Sequence, residues 1–449
     1  MKDNSISKEL LREVSENYSK NMRSKIMSDA IIKNGVSNVA LNRDSIIRMQ
    51  YTFSEEIKTG KITNQEKSGR CWMFAGLNKL RNAVSQKLDL KLSEKEGFEL
   101  SQAYLMFWDK LEKANYFLES IIETRREKVN SRLVMWLLNN VMIDGGQWDM
   151  FVNLVEKYGI IPQYMMPESF HSSDSYLMNK ILNLKLREYA KVLREEFIEK
   201  EEKDLRLIKE DMIKEFYALL CHFLGEPPKV FDFEYRDHKN KFHRDRNLTP
   251  IEFYKKYSSV KVSDYISIIN SPTKDKPFGK IYTIKYLGNV KEGKEVLYLN
   301  LEIDELKKLT ISQLKDGETV WFGCDVDQML ERKYGIMDLN LYNYEEVLDT
   351  SFNLSKADRL NYGDSSLTHA MVFTGVNILE DSPNRWKVEN SWGKENGKDG
   401  YFVMSDAWFD QFIYQVVVNK KYLSEEYLTA LEKMPVELEP WDPMGSLAK

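Results

Sequence analysis

The residues QEKSGRCWMF, numbered 65–74, indicate both the fold and the chemistry of this chain. Cys71 follows a glycine turn and opens a run of good helix formers in which apolar residues recur at helical spacing. Backbone amides and the macrodipole at a helix start stabilise a thiolate, the nucleophilic form of cysteine. The stretch therefore predicts a helix over 69–86, with Cys71 as a candidate nucleophile in its first turn. The alternative is that Cys71, like most single cysteines, is a small core residue.

A cysteine nucleophile needs a base and a third group that orients the base. Among five histidines, His369 opens the apolar run AMVFTGV, so its ring can face a cleft while the strand behind it lies in a sheet. Asn390 stands at the end of the next strand-like run. Two adjacent strands would place His369 beside Asn390, and Trp392 could then shield the bond between them from water.

The composition is that of a globular protein with little net charge. The 449 residues are 42% hydrophobic and 30% charged, with a net charge of −5, which argues against a chain whose main ligand is a phosphate backbone. Cysteines at 71, 221 and 324 cannot form a disulfide framework and indicate a reducing compartment. The first thirty residues lack an apolar signal segment, and no run approaches the roughly 18 apolar residues of a membrane span. We therefore expect a soluble, cytoplasmic protein without membrane contact.

The periodicity of the chain changes from helical to strand-like. Helices are predicted over residues 5–30, 69–86, 101–118, 128–140 and 148–157. Residues 175–220 are predicted to form one long amphipathic helix or two helices in a hairpin. Strand-like runs follow, over residues 280–288, 295–303, 319–326, 370–378, 385–392 and 400–409. A helix-rich first half and a strand-rich second half predict an α+β fold with an antiparallel sheet.

The motif around Cys71 resembles that of the papain superfamily of cysteine peptidases. Gln65 stands six residues before the cysteine, and Thr368-His369-Ala370 and Asn390-Ser391-Trp392-Gly393 follow in the superfamily's order. The supporting motifs also come in order and are Leu100-Ser101-Gln102, Gly145-Gly146-Gln147-Trp148 and Tyr158-Gly159-Ile160-Ile161-Pro162.

The long separation between Cys71 and His369 leaves room for a large insertion. That insertion, the strings GRCWMFA and LTHAMVFTG, and the tail PWDPMG at 440–445 resemble one branch, bleomycin hydrolase and bacterial aminopeptidase C. The resemblance implies a papain-like α+β fold with a helical insertion and an N-terminal arm. The implied segments are an N-terminal helix and arm (1–60), the helical half (61–165), a mainly helical insertion (166–275), the β half (276–435) and a tail in the active-site cleft (436–449).

The resemblance also implies a cysteine aminopeptidase that acts on short peptides with a free N-terminus. Broad specificity, bleomycin-type amide hydrolysis and the absence of a cofactor belong to the same expectation. Cys71 would be the nucleophile, His369 the base and Asn390 its orienting partner. Gln65 would donate to the oxyanion together with the Cys71 backbone N–H. Glycines at 145 and 146 would let the substrate backbone approach closely, although a plain turn is the alternative.

The tail is expected to select substrates by charge. In this branch a terminal carboxylate blocks the non-primed side of the cleft and attracts the α-ammonium of the substrate. Ala448 and Lys449 would then adjoin the substrate, and we hypothesise that Lys449 is removed to leave Ala448 as the working terminus. The branch also implies a homohexamer with active sites facing an internal chamber.

Two alternatives come from other classes of protein. In the first, the fold is a scaffold for a nucleic-acid-binding or protein-binding regulatory barrel, but the intact set of Cys71, His369, Asn390 and Gln65 argues against an inactive scaffold. The basic segment 237–246 supports nucleic-acid binding only weakly, given the net charge. In the second, Cys221-His222 and the histidines of segment 237–246 would hold zinc. Four ligands at closed spacing are lacking in the sequence, so no metal is predicted.

Overall fold

The computed structural model describes residues 4–90, 97–198 and 200–446. The α-helices of this part are α1 (Lys8–Lys20), α2 (Met22–Asn34), α3 (Val36–Ala40), α4 (Arg43–Arg48), α5 (Cys71–Lys87), α6 (Gln102–Glu123), α7 (Arg132–Asn139), α8 (Trp148–Tyr158), α9 (Phe170–Ser173), α10 (Tyr176–Glu196), α11 (Glu202–Leu224), α12 (Pro250–Tyr257), α13 (Ile303–Lys315), α14 (Tyr344–Leu348), α15 (Lys356–Asn361), α16 (Asp406–Phe412) and α17 (Glu425–Leu431). None of the helices within the described ranges combines the length and apolar character that crossing a membrane requires.

The strands of the described residues come mostly from the second half of the chain. They are β1 (Glu55–Glu56), β2 (Phe231–Arg236), β3 (Phe242–Leu248), β4 (Tyr265–Ile269), β5 (Lys280–Ile284), β6 (Tyr298–Asn300), β7 (Val320–Cys324), β8 (Leu330–Glu331), β9 (Ile336–Met337), β10 (His369–Leu379), β11 (Ser382–Glu389), β12 (Tyr401–Ser405), β13 (Ile413–Asn419) and β14 (Val436–Leu438). Helices before and strands after the middle of the chain agree with the predicted α+β class.

The prediction of a single helix over residues 5–30 was wrong. Helix α1 ends at Lys20 and α2 begins at Met22, because Asn21 leaves the helical conformation between them. The Asn21 side chain accepts a hydrogen bond from the Ser24 N–H at 3.1 Å and so caps the second helix. For residues 175–220 the hairpin alternative is confirmed, since α10 and α11 are separate helices that pack on each other and on α6.

The large sheet is antiparallel in its middle and has parallel pairs toward its edges. Its strand order is β14-β5-β6-β4-β13-β7-β10-β11-β12-β9-β8, and β1 adds to β10. In the middle of the sheet every neighbouring pair is antiparallel, in the order β4, β13, β7, β10, β11 and β12. The parallel pairs are β14 with β5, β6 with β4, and β9 with β12. Strand β4 lies inside this sheet although it precedes residue 276, and the proposed segment boundaries stay a prediction.

The hairpin of β10 and β11 places the start of β10 beside the end of β11. Strands β10 and β11 pair antiparallel from Leu379 and Ser382 at the turn to Val372 and Glu389 at the far end. The two turn residues, Glu380 and Asp381, both have positive φ, of 49° and 64°. Turns of that kind match the twist of the flanking strands. His369 therefore opens one strand at the end of the sheet where the neighbouring strand finishes.

Helix α5 lies between the helical half and the sheet. All residues from Cys71 to Ser85 are buried, so the helix contacts protein on every side. Its Trp72 belongs to a core formed with the other helices and one face of the sheet, and the opposite face packs against α13 and α16. The Trp321 indole N–H of β7 donates to the Trp72 carbonyl at 3.0 Å, which fixes the height of the helix over the sheet.

A buried ion pair joins α5 to the end of β11. The Arg81 Nη2 atom lies 3.0 Å from Glu389 Oε1, and both side chains are at most 2% exposed. Arg81 also donates to the Lys61 carbonyl at 2.6 Å. Because Glu389 directly precedes Asn390, the pair sets the position of that asparagine relative to the helix that carries Cys71.

We expect Glu389→Gln to lower the thermal stability strongly, because it leaves the Arg81 charge buried without its counter-ion, a loss of about 3–5 kcal/mol. The exposed pair Lys191–Glu195 provides the matched control, since both of its side chains are more than 60% exposed and Glu195→Gln should change stability by less than about 1 kcal/mol. Thermal unfolding of the two variants beside the parent measures the difference. Equal decreases in the unfolding temperature of the two variants would contradict the role given to the buried pair.

Candidate active site

Cys71 is the first residue of α5 and is fully buried. The Ala370 backbone N–H, at the start of β10, donates to Cys71 Sγ at 3.4 Å. Arg70, which precedes the cysteine, makes a two-pronged ion pair with Glu168, at 3.1 and 2.8 Å, and donates to the Ser172 carbonyl at 2.6 Å. The helix start that carries the sulfur is thereby held against both the sheet and the segment around α9.

His369 and Asn390 lie side by side, in the arrangement that adjacent strands would produce. His369 Nε2 donates to Asn390 Oδ1 at 2.9 Å, and the Ser391 backbone N–H donates to the same oxygen at 2.8 Å. Because both N–H groups donate to the same atom, that atom is the oxygen of the Asn390 amide and not its nitrogen. A neutral imidazole carries one N–H, so the proton is on Nε2 of His369 and Nδ1 is unprotonated. The Trp392 ring lies against the imidazole, with 4.7 Å between their centroids.

Gln65 is tied to the residue that follows Asn390. Its backbone N–H donates to the Ser391 carbonyl at 2.8 Å, and its Oε1 accepts from Ser391 Oγ at 2.7 Å. One Nε2–H donates to the Ser68 carbonyl at 2.7 Å. A glutamine amide has two N–H donors, so Gln65 retains a second one for another acceptor.

Burial determines the protonation of the cysteine and the histidine. It raises the pKa of the Cys71 thiol to about 12, although the backbone N–H groups of Ala370 and Trp72 act to lower it. Burial lowers the pKa of His369 to about 4, with the hydrogen bond to Asn390 opposing and the Arg332 charge assisting. The helix-start amides thus act in the direction that the sequence predicts, but desolvation outweighs them. Both shifts favour the uncharged forms, a thiol and a neutral imidazole.

His369 is expected to stay neutral as the pH falls from 7 until it approaches about 4, because protonation would place a charge in a dry site. NMR of ring-labelled histidine, with the resonance assigned by comparison with His369→Gln, measures this titration. If His369 is the base, kcat/KM must fall through the same pH range. A titration at 6.5 would show that burial does not control the ring, and one well above 6.5 would indicate an imidazolium stabilised by a Cys71 thiolate.

The Gly145-Gly146 turn is packed against the nucleophile helix. A Cβ on Gly146 would lie 2.4 Å from the Trp72 ring, so no larger residue fits there without moving the indole. The Trp72 indole N–H donates to the Asp144 carbonyl at 2.8 Å, and the Gly145 carbonyl accepts from Lys113 Nζ at 2.6 Å. The close approach that the structure shows is that of Gly146 to the Trp72 ring. Substrate binding by Gly145 and Gly146 stays a prediction.

Asp144, whose side chain is only 8% exposed, is a residue of the site region that the sequence analysis missed. Its carboxylate accepts from the Gly69 backbone N–H at 3.1 Å and from Lys110, Ser175 and Asn179. Burial raises the pKa of Asp144, but the charge and hydrogen bond of Lys110 outweigh it and hold that pKa well below its usual range. The sequence did contain a signal for such a carboxylate, because Lys110 lies inside the apolar run YLMFWDKLEK. A lysine that is buried with such a run needs a carboxylate partner.

The C-terminal segment approaches the site from the side of the Gly145-Gly146 turn. Gln147 Nε2 donates to the Ser446 carbonyl at 3.2 Å, and Ser446 Oγ contacts Ser366 Oγ at 3.3 Å. Behind these contacts, the nearly buried ammonium of Lys276 lies 2.9 Å from Asp442. A cavity of about 420 Å³ lies between this segment and helices α6 and α7. The predicted substrate contacts Ala448 and Lys449 lie outside the described residues.

The remaining cysteine and histidine candidates lie apart from this arrangement. Cys324 is the exception: it is a buried residue of β7 that pairs directly with His369 across the sheet, whereas Cys221 is half-buried on α11. His243 Nε2 contacts Asp237 at 2.9 Å, while His238 contacts Asp89. Across the described residues, no cluster of three or more His, Cys, Asp or Glu side chains has the arrangement of a metal site.

Comparison with known proteins assigns the chain to a family. The model of the Peptidase C1-like family matches residues 5–445. The chain belongs to this family. Aminopeptidase C of Listeria innocua serovar 6a is 52% identical over 438 residues, which cover 98% of each chain. The bleomycin hydrolase of Gallus gallus is 43% identical, over 91% of this chain and 90% of that one.

A solved structure extends the family assignment to the fold. The crystal structure of PepW from Lactobacillus rhamnosis has a TM-score of 0.96 and 47% identity, and covers 99% of this chain and 100% of that one. The family relationship expected from Gln65, Cys71, His369 and Asn390 is therefore confirmed, and so is the papain-like α+β class.

Proposed function

We propose that this chain releases N-terminal residues from short peptides by acyl transfer to Cys71. As a member of the Peptidase C1-like family it is a cysteine-type aminopeptidase, an enzyme class that its relatives named aminopeptidase C support. The observation that carries the residue assignment is the bond from His369 Nε2 to Asn390 Oδ1, 2.9 Å long, next to the Ala370 N–H that contacts Cys71 Sγ. One helix and two strands thus supply a nucleophile, a base and an orienting group.

The proton moves within this set in three steps. Cys71 Sγ attacks the scissile carbonyl while its proton passes to Nδ1 of His369, because the resting pair is neutral. The imidazolium then gives that proton to the leaving amine, and the acyl group stays on the sulfur as a thioester. His369 finally takes a proton from the water that attacks the thioester carbonyl, the C–S bond breaks to release the carboxylic acid, and the imidazolium returns its proton to the Cys71 sulfur. Asn390 holds the ring in the tautomer that keeps Nδ1 free.

The oxyanion formed in each step needs donors that are already in place. The second Nε2–H of Gln65 and the Cys71 backbone N–H are the proposed donors. Because Ser68 and Ser391 hold the Gln65 amide on two sides, little reorganisation is required. Removing one such donor typically costs about 3 kcal/mol of transition-state stabilisation.

Hydrolysis of alanyl-alanine amide and of its N-acetylated form by the parent and by Cys71→Ala tests the proposal. We expect the parent to cleave the free-amine substrate, and Cys71→Ala to lose at least about 10³-fold in kcat. Equal rates for the two proteins would exclude the mechanism. They would favour the alternative of a papain-fold barrel that binds nucleic acid or protein.

The C-terminus is proposed to provide the selectivity for free amino groups. Its described part passes Gln147 and Ser366, so the residues beyond Ser446 start from the acyl side of Cys71. A terminal carboxylate there would block longer acyl chains and pair with an α-ammonium. Removal of Lys449 by the enzyme itself would make Ala448 that terminus.

Deletion of residues 446–449 is therefore expected to allow cleavage of N-acetylated peptides, since it removes both the obstruction and the counter-charge. The same assay on the truncated chain measures this, with the full-length chain as its control. A truncated enzyme that still requires a free amino group would refute the gating role. Intact-mass measurement of active enzyme tests the trimming step, which a stable, full-length C-terminus would exclude.

Several further properties belong to the same proposal. Broad side-chain tolerance, bleomycin-type amide hydrolysis as a variant of the same acyl transfer, a cytoplasmic location and independence of any cofactor are proposed by analogy with the family. A homohexamer is proposed as well, and the N-terminal helices support self-association. Helix α1 has no buried residue, and Leu10, Leu11 and Val14 on it are each at least 47% exposed. An apolar face of that kind is typical of an interface.

A further inference from the structure

An arginine covers the tryptophan that lies against the histidine. The Arg332 guanidinium carbon lies 4.4 Å from the centre of the Trp392 ring, a cation–π contact. Trp392 in turn lies 4.7 Å from the His369 ring. The Arg332 carbonyl accepts from the Gly335 and Gly397 backbone N–H groups, at 3.2 and 2.9 Å, so the backbone that carries the side chain is held in place.

The charge of this arginine is only weakly compensated. Its ionic partner among the described residues is Asp327, at 3.7 Å, and the two side chains are 59% and 71% exposed. An ion pair with that separation and exposure contributes little. A substrate carboxylate at hydrogen-bond distance would therefore compete with Asp327 for the guanidinium, and a guanidinium binds a carboxylate with two parallel hydrogen bonds.

Under the proposed function Arg332 stands on the side of the leaving group, because Trp392 places it next to His369 while the tail is held at Gln147 and Ser366. Ser446 approaches through Gln147 and Ser366, so the acyl part of a substrate lies there under the proposed function. The leaving amine must accept its proton from His369 and extend away from the tail, along Trp392. The centre of the Trp392 ring lies 4.7 Å from that of the His369 ring and 4.4 Å from the Arg332 guanidinium carbon, so His369 and Arg332 are at most about 9 Å apart. One or two residues of extended chain, at about 3.4 Å each, span that separation once a hydrogen bond of about 2.9 Å is added at each end.

We propose that Arg332 binds the α-carboxylate of the leaving amino acid or dipeptide. The enzyme then recognises both ends of a very short peptide: the tail carboxylate takes the ammonium, and Arg332 takes the carboxylate. Free di- and tripeptides become better substrates than the corresponding amides. This inference rests on the proposed aminopeptidase function and adds a specificity-determining residue to it.

The experiment compares kcat/KM for three substrates that share an N-terminal alanine. Alanyl-alanine has the carboxylate, alanyl-alanine amide replaces it with a neutral group, and alanine p-nitroanilide lacks the second residue. Arg332→Gln should lower kcat/KM about 5- to 10-fold for alanyl-alanine and change the other two by less than about twofold. Arg332→Lys should lose less kcat/KM for alanyl-alanine than Arg332→Gln, because a lysine keeps the positive charge but cannot form two parallel hydrogen bonds to a carboxylate.

Lys333→Gln is the matched control. Lys333 neighbours Arg332, lies over the Tyr334 ring and is exposed, so its removal changes the net charge equally. It should leave the carboxylate-to-amide ratio unchanged. A second measurement needs no variant: raising the ionic strength from about 0.02 to 0.5 M should lower that ratio for the parent, because salt screens an exposed pair.

Three outcomes would overturn the inference. An unchanged ratio in Arg332→Gln would exclude carboxylate binding, and an equal loss in Lys333→Gln would show a general charge effect. An equal loss on all three substrates would show that Arg332 acts through Trp392 and His369. Cys71-dependent cleavage of the anilide would in each case leave the aminopeptidase proposal standing. Absence of cleavage of all three substrates by the parent would overturn both.

Discussion

The site depends on the contact between helix α5 and the hairpin of β10 and β11. The helix carries the cysteine and the hairpin carries the histidine and asparagine, so neither half contains a working set alone. A buried ion pair between Arg81 and Glu389, and the Ala370 N–H bond to Cys71 Sγ, hold the two halves at a fixed spacing. Hydrogen bonds and ion pairs are needed at this contact because apolar packing alone would let the helix and the hairpin shift slightly against each other. Acyl transfer requires its reacting groups to be positioned more exactly than that.

Enclosure by this contact has a chemical consequence. It removes water from the cysteine and the histidine and makes their neutral forms the stable ones. Charge separation is then postponed until a substrate carbonyl is present to be attacked. In the proposed mechanism, the Cys71 backbone N–H at the start of α5 and the Gln65 amide would donate to the charge that develops on the oxyanion.

Two supports act on the site from opposite sides. Asp144 ties the Gly69 backbone, two residues before the nucleophile, to Lys110 of α6 and to the start of α10. On the other side, Trp392 lies against His369 and is itself covered by Arg332. Under the proposed function the C-terminus lies at the acyl end of the cleft and Arg332 at its leaving-group end, and the proposed selectivity for very short peptides would follow from one charged group at each end.

Much of this arrangement could be predicted from local pattern. Helical spacing after Gly69 predicted a helix that α5 matches, and the strand-like runs at 370–378 and 385–392 correspond to β10 and β11. Motif spacing likewise selected Cys71, His369, Asn390 and Gln65, because residue type and order along the chain express the chemistry that a cysteine peptidase requires. The break at Asn21 escaped this reading, since apolar and charged residues alternate without interruption on both sides of the cap.

The sequence by itself determined the fold class through its periodicity, and it determined the family and the candidate nucleophile, base and orienting residue through motifs that resemble those of a known superfamily in residue type and order. Tertiary structure alone decided the protonation of Cys71 and His369, since desolvation depends on everything packed around them. It alone paired Arg81 with Glu389, Lys110 with Asp144 and Arg332 with Trp392. Charges that are distant along the chain carry no local signature of their partners, and only the folded packing brings them together.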